Sequence, residues 1–448
     1  MIFFTIKINP DKITATRYSG VSLLKMKKRR HAIMSQRRIL SITLLITLLV
    51  AYLDRVNVSV IVADNQFLSD MGIVGDAASA GLLMSLFLLT YGISNMFLSP
   101  IGDKIGPKKA MMTAIVLWMG SLAIGGLAPA FSILLISRIL LGLGEGLHWP
   151  MQSKFVKNWF PPNERGKANA TWGIALYFGP AVAMPFFAFI IQSLGWRESF
   201  GVLIGLGLIP LFLLGYLTSD TPEKSTKISK EELEYIESGM ADEAANEAVL
   251  QNASTWENIK TFITDYRYWL LVVYYIGNCS IWWGIIAWLP SYLKLERGFT
   301  WASMGIMSSM PYILATCLCV VGGYLGDKLG RRGWLLVIAL MGPTLGLYFG
   351  ANSTDNMTAA ILISIGVGCI SLGVPSCWTL LQQFVPSKAV GTGAGLMNGI
   401  SSVISGFIPV LIGIAINIMH SYTGGLMMLC AIGFICACGS SILALKKY

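Results

Sequence analysis

Polar residues interrupt this chain at nearly regular intervals, and between them lie apolar runs of about 20 residues, each enough to cross a hydrocarbon core of ~30 Å at about 1.5 Å per residue. The runs fall near residues 40 to 62, 79 to 101, 108 to 128, 131 to 154, 168 to 192 and 198 to 217, then 267 to 293, 303 to 325, 333 to 350, 357 to 384, 391 to 417 and 421 to 445. They predict an all-α integral membrane protein with twelve transmembrane helices. One polar stretch is long. It begins "SDTPEKSTKISKEELEYIESG" and holds Ser229 and Glu232 at the spacing of a capping box, so a short helix is predicted to start there. The pattern divides the chain into a basic tail (1–39), a six-helix bundle (40–217), a linker (218–266) and a second six-helix bundle (267–448).

An internal repeat relates the two bundles. "IGDKIGPKK" around Asp103 returns as "LGDKLGRRG" around Asp327, and 327 minus 103 is 224. Phe160 and Pro162 of "WFPPNERGKA" match Phe384 and Pro386 of "QFVPSKAVG" at the same offset. It also sets Gly142 and Gly144 on Gly366 and Gly368. Two halves running in the same direction place a binding site between them near the middle of the membrane.

Composition agrees, with 54% hydrophobic and 12% charged residues, about half the charged share of a soluble domain. A net charge of +10 raises the question of nucleic acid, but the basic residues gather before the first run, in alternate short loops (Lys104, Lys108, Lys109; Lys157, Arg165, Lys167; Lys328, Arg331, Arg332; Lys388) and at Lys446 and Lys447. The other loops hold only Arg197, Lys294 and Arg297. This asymmetry places both termini in the cytoplasm and excludes a nucleic-acid role. The eight cysteines all fall in apolar runs of the second half and read as buried thiols without disulfide or metal spacing. Residues 1 to 33 lack the apolar core of a cleaved signal peptide, and Met26 and Met34 offer later starts.

The loop "GGYLGDKLGRR" resembles the signature of the major facilitator superfamily; its first-half copy departs from it at Ser99 and Pro107. The likeness runs over about residues 35 to 447. Physically the loop is a tight glycine turn whose carboxylate sits near a helix N-terminus and basic residues, so Asp103, Lys104, Asp327, Lys328 and Arg331 are expected to gate one half against the other. "YLDRVNVSV", "RILLGLGEGLHWP" and "NWFPPNERGKA" look like the anion:cation symporter family within that superfamily, whose bacterial members carry sugar acids and related carboxylates, usually with protons. The resemblance implies a monomer in membrane lipid at the plasma membrane, with a small organic anion and protons as its ligands and no cofactor.

Charged side chains at bilayer depth are expensive and mark function. Asp54 lies 14 residues beyond the start of the first run, about 21 Å up, and Arg138, seven residues into a run of opposite direction, sits at nearly the same depth, about 10 Å below the far edge. In the resembling fold the first and fourth spans both line the central cavity, so Asp54 is expected to pair with Arg138. Arg55, about 100° around the helix, is then free to clamp a carboxylate with its planar fork. Asp54 is the expected carrier of the coupling proton, and by resemblance Glu145 is a second. An ion-pair cluster that only fixes packing is the alternative. His148 has two readings, a proton relay or substrate ligand, and a satisfied polar histidine.

The apolar cores of the second half contain no Asp, Glu, Lys or Arg. The offset sets Asn278 opposite Asp54 (278 minus 54 is 224), so the repeat keeps a polar position without a titratable one. Asn278, Trp378 and Asn398 are expected to bind substrate, with Tyr52 and Tyr91 from the first half; Trp378 and Asn398 follow the family's tenth and eleventh helices. No loop shows a nucleophile with its base or a phosphate cradle, so an enzyme is not expected. Proton-coupled anion import leads, ahead of anion exchange or drug/proton antiport; "YFGPAVAMP", Tyr177 to Pro185, only faintly resembles an antiporter motif.

Overall fold

The computed structural model describes residues 35–98, 102, 104–250, 260, 262–386 and 389–448. Twelve helices long and apolar enough to cross a membrane occur among them: Gln36–Ile61, Ala77–Phe97, Pro107–Gly126, Phe131–Trp159, Glu164–Leu194, Trp196–Leu217, Tyr266–Glu296, Trp301–Leu329, Gly333–Ala351, Asn356–Phe384, Thr392–Met419 and Tyr422–Leu445. The chain is a multi-pass, all-helical membrane protein. We call the end where the first span starts the near end and the opposite one the far end. The fourth span continues beyond residue 154 through Lys154 and Lys157, because a helix need not stop where the hydrocarbon does. Asp103 and Lys388 lie outside the described residues.

The repeat is visible in the backbone. Gly106 and Gly330, 224 apart, both take positive φ, 91° and 64°, which a Cβ would strain. The expected register fails, however, in the fourth and tenth spans. A side-chain carbon on Gly142 would meet Thr90 Oγ1 at 2.0 Å and one on Gly368 would meet Leu314 Cβ at 2.7 Å; 314 minus 90 is 224, but 368 minus 142 is 226. The tenth span is therefore two residues shorter between this contact and Phe384. It contains a five-residue 3-10 turn, Cys369–Gly373, and at about 2.0 Å per residue against 1.5 this turn recovers about 2.5 Å of the missing ~3 Å. Cys317 and Cys438 are exposed on the helix surfaces rather than buried, while Cys377, Cys430 and Cys436 are buried.

Capping explains the linker. Glu232 N–H donates to Ser229 Oγ at 3.1 Å, starting the helix Lys230–Leu250. The Glu232 carboxylate does not close the capping box. It accepts instead from the Gln36 and Arg37 amides at 3.0 and 3.2 Å, capping the first span, and Arg37 also pairs with Glu164.

The halves are zipped together at the far end. Ala77 N–H donates to Asn417 Oδ1 at 2.8 Å, Asn417 Nδ2 to Asp76 Oδ1 at 3.0 Å, and Val410 N–H to Ser85 Oγ at 3.0 Å. Side-chain carbons on Gly81 and Gly413 would lie 2.3 Å from the Pro409 and Ala77 carbonyl oxygens, so only glycine permits this approach of the second and eleventh spans. Hydrogen bonds from Ser79 and Asn417 hold the Asp76 carboxyl below the ordinary carboxylate range. The stabilisation it gives is therefore present above that range and lost only as pH falls through the depressed pKa. Asn417→Ala removes about 1–2 kcal/mol of closure, so a cysteine placed at Met84, now 2% exposed, is expected to be labelled from the far side roughly five- to thirtyfold faster. An unchanged labelling rate would show that the glycine contacts alone hold this end shut.

Candidate functional site

The first half has a charged interior. Asp54, Arg55, Arg138 and Glu145 are at most 2% exposed, and no other Asp, Glu, Lys or Arg among the described residues is buried to that degree. Tyr52, Asp54 and Arg55 come from the first span, Phe87 and Tyr91 from the second, and Arg138 and Glu145 from the fourth. Small residues let the helices meet closely enough to build the site. Gly142 and Gly146 press the fourth span on the second, where side-chain carbons would come within 2.6 Å of the Phe87 and Tyr91 carbonyls, and Gly179 admits Tyr52.

Arg55, not Arg138, holds the closed ion pair. Its Nε donates to Glu145 Oε2 at 2.6 Å. Its Cζ also stands 4.8 Å from the Tyr52 ring centroid, 4.8 Å from Tyr91 and 5.8 Å from Phe87, so three aromatic rings help to stabilise the buried cation. Arg138 flanks the same Phe87 ring at 5.4 Å.

The expected Asp54–Arg138 pair is not formed in this conformation. Both Asp54 oxygens and Arg138 Nε and Nη2 are buried without hydrogen-bond partners, as are Arg55 Nη2 and Glu145 Oε1. The expectation of an unengaged Arg55 is corrected accordingly. Depth arithmetic fixes height and says nothing of reach: Glu145 lies about 10 Å below Arg138, and two long side chains span that. The cluster thus contains one closed pair and two charged groups whose buried polar atoms lack partners. Orphaned buried polar groups are costly, at about 1–3 kcal/mol each.

The second half contributes neutral groups. Asn278 Nδ2 donates to Tyr274 Oη at 3.3 Å and to the Ile370 carbonyl at 3.1 Å. It pins the seventh span on the 3-10 turn of the tenth, so of its amide the oxygen remains for a ligand. Trp378 stacks edge-on with Tyr275 at 5.6 Å. Trp378, Asn398 and Tyr91 are half-buried, accessible where the four charges are sealed. A ring contact crosses between the halves, Tyr177 to Trp282 at 5.4 Å, and continues to Tyr312 at 5.2 Å. In the loop repeat, Asp327 pairs with Arg332 of its own half at 2.8 Å. Lys104, Lys328 and Arg331 are exposed.

Phe87, whose ring stands beside both guanidinium groups, escaped the sequence reading. Its signal was the aromatic pair Phe87 and Tyr91 at i, i+4 on one face of a span. Gln152 and Trp118, both fully buried, also escaped it.

Comparison with known proteins places this geometry. The sequence pattern of the Major Facilitator Superfamily matches residues 44–409. A probable sulfoacetate transporter of Cupriavidus necator is 29% identical over 386 residues, 83% of this chain and 86% of that protein. A probable L-galactonate transporter of Escherichia coli is 26% identical over 402 residues, 86% of this chain and 83% of its own. Among solved structures, a bacterial homolog of the human lysosomal transporter Spinster superposes with a TM-score of 0.77 at 16% identity, covering 93% of this chain and 98% of that one.

Proposed function

Since the chain belongs to the Major Facilitator Superfamily and its relatives are transporters of small organic anions rather than enzymes, we propose that it imports a sugar acid, such as a hexuronate, aldonate or aldarate, together with protons. The observation that carries this reading is the buried Arg55–Glu145 pair beside the unpartnered Asp54 and Arg138. A proton on Glu145 removes the charge that holds Arg55, and the freed fork takes the substrate carboxylate bidentately. A proton on Asp54 likewise removes a negative charge from beside Arg138. The first step exchanges a proton for an anion without leaving a net buried charge, as a low-dielectric interior favours; the second leaves Arg138 to be balanced by further negative charge on the substrate.

In this reading the near end, where the loop charges gather, is cytoplasmic, and the protein works as a monomer in the plasma membrane. With the far end zipped, this conformation is closed to the outside. The test is uptake into liposomes under an imposed pH gradient, over a panel of hexuronates, aldonates, aldarates and sulfoacetate. Accumulation against the substrate gradient, with alkalinisation of the external medium of de-energised cells, is expected. Substrate exchange that ignores pH would instead make it an anion exchanger, and efflux of lipophilic cations a drug antiporter.

Selectivity is assigned to the second half, which brings no buried charge to the site. Trp378→Phe or Asn398→Ala is expected to change relative KM values among the acids by about 1–3 kcal/mol equivalents, roughly tenfold or more, while the pH dependence of uptake stays as in the wild type. Loss of pH dependence with an unchanged substrate range would contradict this division.

A further inference from the structure

His148 is not the satisfied histidine of the bland reading. It is fully buried, and neither ring nitrogen has a hydrogen-bond partner. It stands one turn from Glu145 toward the near end, and Gln152, also buried with its Oε1 unpartnered, stands one turn further. At about 100° per residue, Arg138, Glu145, His148 and Gln152 fall within an arc of about 80° on the fourth span. Gln152 Nε2 donates to the Leu44 carbonyl of the first span at 2.8 Å, and the His148 ring meets Trp118 of the third span at 5.8 Å and 61°. This polar file therefore runs inside the first bundle, between its first, third and fourth spans.

We propose that His148 takes the coupling proton from Glu145 and passes it toward the near end through the interior of the first bundle. The inference rests on the proton-coupled reading above. Glu145 Oε–H gives its proton to one imidazole nitrogen; the imidazolium then releases the proton of its other nitrogen, on the Gln152 side, to water entering from the near end, which carries it away as hydronium. The ring is left neutral in the opposite tautomer and resets by turning over, so no reactant besides water is needed.

Neighbouring charges make the step directional. Arg55 is the charge that reaches His148 from the first span, Glu145 is the acid on its own helix, the second span brings the uncharged Tyr91 and the third brings Trp118. A proton leaving Glu145 restores the carboxylate to Arg55, so the imidazolium forms just as the competing cation is neutralised. Pro150, two residues on, has no N–H, which leaves the Gly146 carbonyl outside the helix ladder as an acceptor beside this route.

The experiment compares His148→Gln with wild type in two liposome assays: pH-driven accumulation, and counterflow of labelled for unlabelled substrate without a gradient. Driven uptake is expected to fall about tenfold, less than the hundredfold scale of losing a directly acting acid or base, because water fills part of the gap. Counterflow rate and KM are expected to stay at wild-type values, and the pH profile of driven uptake to flatten. Gln152→Met, which keeps the His148–Trp118 contact, is expected to reproduce the change in part and decides the matter if His148→Gln does not insert. Wild-type driven uptake with a wild-type pH profile in these variants overturns the relay, as does a parallel loss of both assays, which marks a packing role. If wild type itself shows no pH-driven accumulation, the coupling reading fails first and the relay with it.

Discussion

Arg55→Lys is expected to weaken substrate binding by about 1.5–3 kcal/mol, the range for hydrogen bonds to charged groups, roughly ten- to hundredfold in affinity. Lysine keeps the positive charge and can still face Glu145. What it loses is the fork. In the structure one edge of the Arg55 guanidinium is committed to Glu145 through Nε, while Nη2 has no partner. A planar guanidinium can therefore hold Glu145 and begin to receive a carboxylate at once, whereas an ammonium is a point charge that must leave one to take the other. The Tyr52 and Tyr91 rings are set for a flat cation, which adds to the loss. Titration calorimetry or the KM of counterflow reads the effect. Wild-type affinity would move the clamp to Arg138 or to the neutral groups of the second half.

Most of the fold was legible because membrane spans write themselves in long apolar runs, and a repeat of 224 residues tied two loops and two positive-φ glycines together. The same regularity misled at Gly142 and Gly366, since a 3-10 turn is invisible to an offset. The four buried charges were legible one by one, because each is costly in lipid. Their pairing was not. Pairing depends on azimuth and side-chain reach, and Arg55 is steered toward Glu145 by rings of the second span that sequence spacing does not place. Asn278 shows the reverse case: a polar residue at a symmetric position of interest, whose donors pack its own half.

Asp54→Asn is expected to abolish pH-driven accumulation while leaving substrate binding in place and less dependent on pH. Asparagine keeps the size and one oxygen of the carboxyl but has no charge to titrate, so it imitates the protonated acid. Asp54 has no hydrogen-bond partner in this conformation, so the exchange breaks no contact and is expected to leave the fold intact, unlike removal of one member of a closed buried pair, which costs about 3–5 kcal/mol. Linkage gives the sign. Substrate at Arg55 adds a negative charge beside Asp54, so anion binding favours proton binding, and the proton strengthens anion binding by the same factor. A variant fixed in the neutral form binds as though always protonated. It equilibrates substrate across the membrane and cannot be driven by a proton gradient. Glu145→Gln separates the two acids. It also loses accumulation, but it deprives Arg55 of its ionic partner and so still exchanges internal for external substrate if Glu145 serves the later release of the proton. The measurement is uptake into liposomes with an imposed pH difference, beside counterflow without one. Should Asp54→Asn still concentrate substrate under that pH difference, Asp54 is a partner of Arg138 alone and the coupling proton rides on Glu145.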